Sequence, residues 1–387
     1  MIKKIIIILT LILIAISPKL LNNSHTVKAE SLTDNIEEQL NNIDLSELED
    51  YFNNISNKQS NLSFKDIIND LLNGEYELNF NTILEQILQV TLSNVYDMMP
   101  TFATIFLITF FCGIMQNFKS SFLSDSISDL IFFVCFLTVI LLLSLELSSI
   151  ISNTRNVIEN IANLTEIMSP IILTLIVASG GKVSAAIYKP TVVFLSVGVI
   201  NIVLSLIIPL VVVLIIFNVI SNLSTTVKLT KFSELISSII KWIVGIVVTV
   251  FSCFLTIQGI SSASFDGLSA KAAKYVISNS VPIIGGFIKD GFNVVVAGSI
   301  LIKNAVGVAC VFGLFYTIIS PLIEIIIFSL LLKAVSAIIE PFSDSRICNF
   351  CSSVSKSLSY ITMSLLMVGL MFFIVITLMI VSGNALV

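Results

Sequence analysis

Histidine is almost absent from this chain. Its 387 residues include one, His25, and it falls in a leader-like stretch expected to be removed. Without histidine the remaining chain has no imidazole for acid–base catalysis and no donor for most zinc sites. Charged residues make up only 12% of the chain, about half of what a soluble domain carries. No G-x-x-x-x-G-K-[ST] phosphate loop and no Gly-x-Ser-x-Gly elbow occurs, so neither nucleotide hydrolysis nor a serine-hydrolase reaction is expected. Six cysteines give no disulfide framework. Cys112, Cys135, Cys253 and Cys310 lie in apolar runs, and the lone Cys348-x-x-Cys351 lacks the second pair that a metal site needs.

Long hydrophobic runs take the place of charge. Hydrophobic residues account for 56% of the chain, and the mean hydropathy is +1.02. Pro190 to Val227 is a run of 38 residues without a formal charge, and 242–265, 305–323 and 357–387 are likewise uncharged. About 20 apolar residues in a helix cross the hydrocarbon core of a bilayer. An all-α polytopic membrane fold follows, with firm spans near 101–117, 130–151, 190–220, 242–260, 305–332 and 359–381. Two shorter stretches, 168–181 with Pro170, Gly180 and Gly181, and 281–302 with Pro282, Gly285 and Gly286, are broken by Gly or Pro. They read either as re-entrant segments lining a path or as surface loops. The span count is therefore six to eight.

Ahead of this body the charge is one-sided. Residues 30–100 hold fourteen acidic side chains against Lys58 and Lys65. Lys3 and Lys4, the apolar Ile5–Ile16 and the small residue of Val27-Lys28-Ala29 predict a signal peptide over 1–29, cleaved between Ala29 and Glu30. Residues 30–98 are then an acidic, extracytoplasmic helical domain, and 99–387 the membrane domain. Helical spacing joins Leu48, Phe52 and Ile55, and also Ile67, Ile68, Leu71 and Leu72. Ser46 with Glu49 and Ser63 with Asp66 offer box-like starts, and Gly74 a stop. The acidic balance gives no support to nucleic-acid binding.

Loop charge does not orient the body. Whether or not 168–181 crosses, seven basic residues fall on each side. The amphipathic stretches 152–168 and 228–241 suit interfacial helices or docking surfaces.

A charge at the centre of a membrane helix costs about 2.5–3.5 kcal/mol, so intramembrane carboxylates are candidates for function. Glu324 stands after Pro321 in an otherwise uncharged run of 28 residues, and Glu146 near the end of the second span. Pro321 would free backbone groups beside Glu324. Lys289 and Asp290 pair with each other or meet water. No catalytic, cofactor or metal residue is assigned.

The stretch Ile257-Gln258-Gly259, Lys271-Ala272-Ala273-Lys274-Tyr275, Asn279 to Gly286 and Leu301 to Gly307 resembles the stage III sporulation protein AE family. The resemblance implies a membrane subunit of a channel or secretion-like complex linking mother cell and forespore, placed in the mother-cell membrane around the forespore. It implies partners from the same operon, among them an ATPase acting in trans and a ring-forming membrane protein. It transfers no catalytic site. An ion-coupled or small-molecule permease, or a purely structural membrane scaffold, is the alternative.

Overall fold

The computed structural model describes residues 39–40, 43–59, 64–73, 80–117, 125–223, 229–280, 285–341 and 344–382. Every element among them is helical. Two short helices, α1 (Ser46–Gln59) and α2 (Phe64–Asn73), precede six long ones. These are α3 (Phe80–Asn117), α4 (Asp125–Ala178), α5 (Lys182–Leu223), α6 (Thr230–Ser280), α7 (Gly285–Ile339) and α8 (Ser345–Val381). Each of the six contains a segment long and apolar enough to cross a membrane.

At about 1.5 Å per residue, the 54 residues of α4 run about 80 Å, well beyond one hydrocarbon core. The helices are long because nothing stops them. Pro100, Pro170 and Pro321 all lie inside continuous helices. Residues 168–178 are the end of α4, so the expected re-entrant segment or loop is replaced by helix. Its stop is Gly180, whose φ of 97° suits a residue without Cβ, and Gly181 leads into α5. Residues 285–302 are the first part of α7, likewise helical rather than broken. The stretches 152–168 and 230–241 are parts of α4 and α6, not separate interfacial helices. The expected boundary at residue 98 falls within α3, which continues unbroken to Asn117.

Three to seven residues join successive long helices, too few for another crossing, so neighbours alternate in direction. The start of α3 and the end of α8 therefore share one end of the bundle. α8 is the centre: 67% of its most apolar window is buried, against 22% for α6. It packs antiparallel on α7, and small polar groups tie the pair. Ser336 Oγ donates to the Cys348 carbonyl at 2.9 Å, and the Ser329 and Ser355 hydroxyls meet at 2.7 Å. Cys348 and Cys351 are buried on α8. Asn218 of α5 reaches Ser357 Oγ at 3.1 Å.

α5 widens twice, in π-helical turns at Phe194–Val199 and Val203–Ile207, where the first faces α4.

The acidic helices dock on the membrane body. α1 is capped by Asp44, whose Oδ1 accepts from the Ser46 N–H at 3.1 Å, rather than by Ser46. Ser63 and Gly74 lie outside the described residues. Leu48, Phe52, Ile67 and Ile68 are buried as their spacing predicts. The Phe52 ring sits where Gly313 of α7 leaves room; a Cβ there would come within 2.7 Å of it. Tyr51 hydroxyl meets Thr317 Oγ1 at 3.1 Å, and burial pushes its phenol up to about 12.

Two outcomes check this arrangement. Cysteines replacing Lys182 and Val381 should react with an impermeant thiol reagent from the same side of the membrane. A cysteine replacing Glu340 should react only from the other. Gly307→Val and Gly369→Val, which would drive a side chain into Ile380 and Ile318, should lower the unfolding temperature of the detergent-solubilised protein, at a cost of about 1–3 kcal/mol. Gly245→Ala, with open space around it, should not.

Candidate functional site

The two carboxylates singled out in the sequence are both engaged along α4, two turns apart. Thr101 of α3 faces α4, and its Oγ1 donates to Glu146 Oε1 at 3.0 Å. Two turns further along α4, Asn153 Nδ2 donates to Glu324 Oε2 of α7 at 2.6 Å. Both glutamates are half-buried and Asn153 is exposed, so the cluster opens outward from the junction of α3, α4 and α7. Next to Thr101 and one turn beyond Glu324, Phe102 and Phe328 are buried edge to face, with ring centroids 5.2 Å apart.

Pro321 is buried one turn before Glu324. It offers no N–H to the Thr317 carbonyl, but α7 carries on through it. Gly180 and Gly181 form the α4–α5 turn at the other end of the bundle, away from the glutamates. Gly285, Gly286, Lys289 and Asp290 lie on the first turns of α7, where side chains are outside the described residues, as is Pro282 altogether. Among the described residues no group of three or more His, Cys, Asp or Glu side chains is arranged to hold a metal.

Loop counting missed Lys303. This lysine is fully buried, and its Nζ donates to the Ser382 carbonyl at the end of α8. Exposed carbonyls at a helix C-terminus carry partial negative charge, which favours a cation there. Ser382 Oγ also donates to the Tyr188 hydroxyl at 2.9 Å, so α5, α7 and α8 are pinned at one point. The visible cue was a lone cation between Leu301-Ile302 and Ala305-Val306.

The sequence profile of the stage III sporulation protein AE family matches residues 62–383. The chain belongs to the stage III sporulation protein AE family. The match takes in α2 through α8 and begins after α1. A relative, stage III sporulation protein AE of Bacillus subtilis (strain 168), is 25% identical over 281 residues, which is 73% of this chain and 70% of the relative. No solved structure matches the chain. A sporulation role and a multi-pass membrane fold thus stand together, and the glutamate cluster is a feature of a sporulation membrane protein.

The amide–carboxylate contact should be measurable. In a double-mutant cycle of Asn153→Ala and Glu324→Ala, thermal unfolding in detergent should give a coupling of about 1 kcal/mol, the ordinary net worth of such a hydrogen bond.

Proposed function

We propose that this protein is a conduit or export-platform subunit of a channel complex that joins mother cell and forespore, and that it acts without catalysing a reaction. The observation that carries this reading is the placement of Glu146, Glu324, Thr101 and Asn153 in one outward-opening cluster on helices long enough to span the bilayer. Ionisable side chains at such depth are costly unless water, protein or a passing solute meets them. An anchor needs none of them, and the sporulation family supplies the setting. Among the described residues no nucleophile is paired with a base, which favours transport or assembly over chemistry.

In this reading the protein lies in the mother-cell membrane around the forespore. Its leader directs the acidic α1–α2 segment out of the cytoplasm, and the even number of spans then puts the end of α8 on that same side. The α3–α4, α5–α6 and α7–α8 connections face the cytoplasm, where the exposed Lys231–Glu234 pair on the first turns of α6 would meet a partner ATPase acting in trans. A ring-forming membrane protein of the same operon is the expected partner on the other side.

Sporulating cells carrying Glu146→Leu with Glu324→Leu, at normal protein level, should yield at least about tenfold fewer heat-resistant spores, because the polar opening is closed by apolar side chains. The same pair changed to Gln keeps hydrogen-bonding atoms and should lose less. Normal spore yield from the Leu pair would favour a scaffold that only anchors its partners.

A further inference from the structure

A chain of contacts marks one level along the bundle axis. Lys241 Nζ of α6 lies 6.0 Å from the ring centroid of Tyr360 on α8. The Ser329–Ser355 contact sets the antiparallel register of α7 and α8, so Tyr360 is level with Glu324. Glu324 accepts from Asn153 of α4, and two turns back along α4 Glu146 accepts from Thr101 of α3. Phe136 of α4 meets Phe350 of α8 with ring centroids 5.3 Å apart, which gives the same match to within two turns.

From this level the apolar surface runs in opposite directions on two edges of the bundle. α3 packs on α4 and α7, whereas α6 packs on α5, α7 and α8, which sets α3 and α6 apart. Towards the α7–α8 connection, α3 and α4 expose Leu107, Phe111, Leu130, Leu137, Leu141 and Leu145. There α6 and α8 expose Lys231, Glu234, Lys241 and Lys356. Towards the Gly180 turn the pattern reverses. α6 exposes Ile246, Val248 and Val250, while α3 exposes Glu85, Gln89, Ser93 and Asp97, and α4 exposes Arg155, Glu159, Asn163 and Glu166. A membrane at right angles to the axis cannot hold both apolar faces. A slab around 242–260 leaves 101–117 and 130–151 in water, and the reverse slab leaves 242–260 there. The rims of the two faces say what covers them. Where the apolar face of α3 ends, Tyr96 is 80% exposed beside Asp97, and where that of α6 begins, Trp242 is 74% exposed beside Lys241. Exposed Tyr and Trp at the end of an uncharged run belong at a membrane–water interface.

We propose that both apolar faces are covered by the lipid of one bilayer, which crosses the bundle obliquely, with Tyr96 at one surface and Trp242 at the other. The shift between the faces is about 25 Å, and two or three helix spacings separate the edges by about the same distance, so the tilt is about 45°. At that tilt a helix needs about 28 apolar residues to cross, rather than 20. α7 has such a run from Ala305 to Leu332 with Glu324 its one charge, and Pro190 to Val227 offers 38 residues. The same tilt keeps α1 and α2 in water. They dock at Gly313 and Thr317 of α7, on the flank where α4 has left the lipid, and their Glu47, Asp50, Asp66 and Asp70 are exposed. The inference goes beyond the conduit reading and holds equally for a scaffold.

Trp242 is the one tryptophan of the chain, so the full-length protein reports its own depth. The test places it in vesicles of phosphatidylglycerol and phosphatidylcholine, the latter brominated either near the headgroup or near the chain end. Trp242 emission should fall more with shallow bromine than with deep. Single tryptophans then replace Leu141, Phe232, Val250 or Leu88 in the Trp242→Phe protein. By the contacts above, Leu141 of α4 is level with Phe232 of α6, and Leu88 of α3 with Val250 of α6. The Leu141→Trp and Val250→Trp proteins should lose most of their emission to deep bromine. The Phe232→Trp and Leu88→Trp proteins should resist both lipids and yield to iodide supplied on both sides. Leu107→Trp on α3 repeats the Leu141→Trp reading where that variant folds poorly. Members of a pair that respond alike mean a perpendicular bilayer, and the proposal falls. A tryptophan at Leu141 that neither bromine nor iodide quenches is covered by protein, which also overturns it. So does a Trp242 quenched best by deep bromine.

Discussion

Hydrocarbon gives a polar group nothing to bond with, and the stretch of α7 between Lys303 and Glu324 is where this chain meets that condition most strictly. Its two bounding charges are both taken up by other helices. Lys303 is buried against the carbonyl end of α8, and Glu324 receives the amide of Asn153 on α4. Those two contacts set how α4, α7 and α8 lie against one another along the bundle axis. The serine contacts between α7 and α8 then hold the register between them. Apolar attraction cannot do this work among apolar helices in lipid, so small residues and paired polar groups must.

That register has a consequence for function. It places the glutamate cluster at one end of the uncharged level and the Gly180 turn beside the other, with a polar face of α4 between them. The acidic helices α1 and α2 dock on the bundle, keyed by Phe52 over Gly313 and by Tyr51 on Thr317. Large apolar side chains such as Trp242 of α6 and Leu107 and Phe111 of α3 are exposed on the bundle surface.

The sequence was most readable where composition alone decides the outcome. Long apolar runs with few charges fold most favourably as membrane helices, and each of the six firm spans lies in one of the six long helices. The apolar spacing of Leu48, Phe52, Ile67 and Ile68 likewise fixed which faces of α1 and α2 are buried. Glu146 and Glu324 could be picked out one at a time because each is a costly charge in apolar surroundings. Reading failed where Gly and Pro were taken as breaks. Pro170 sits inside continuous α4, and Gly285 and Gly286 open α7 as helix, because neighbouring helices hold the chain in place after one hydrogen bond is lost. The π-helical turns of α5 had no visible cue in its uniformly apolar sequence.

Fold class, the membrane setting and the list of expensive charges were thus determined by the sequence by itself, since each depends only on the free energy of moving a segment from water to lipid. Which charge meets which partner was decided by the tertiary structure. Glu146 and Thr101 are 45 residues apart, Asn153 and Glu324 171, and Lys303 and Ser382 79. Contacts at such separations arise from how long helices slide and rotate against one another. Local pattern does not specify that geometry, because every apolar face of one helix packs nearly as well on several faces of the next.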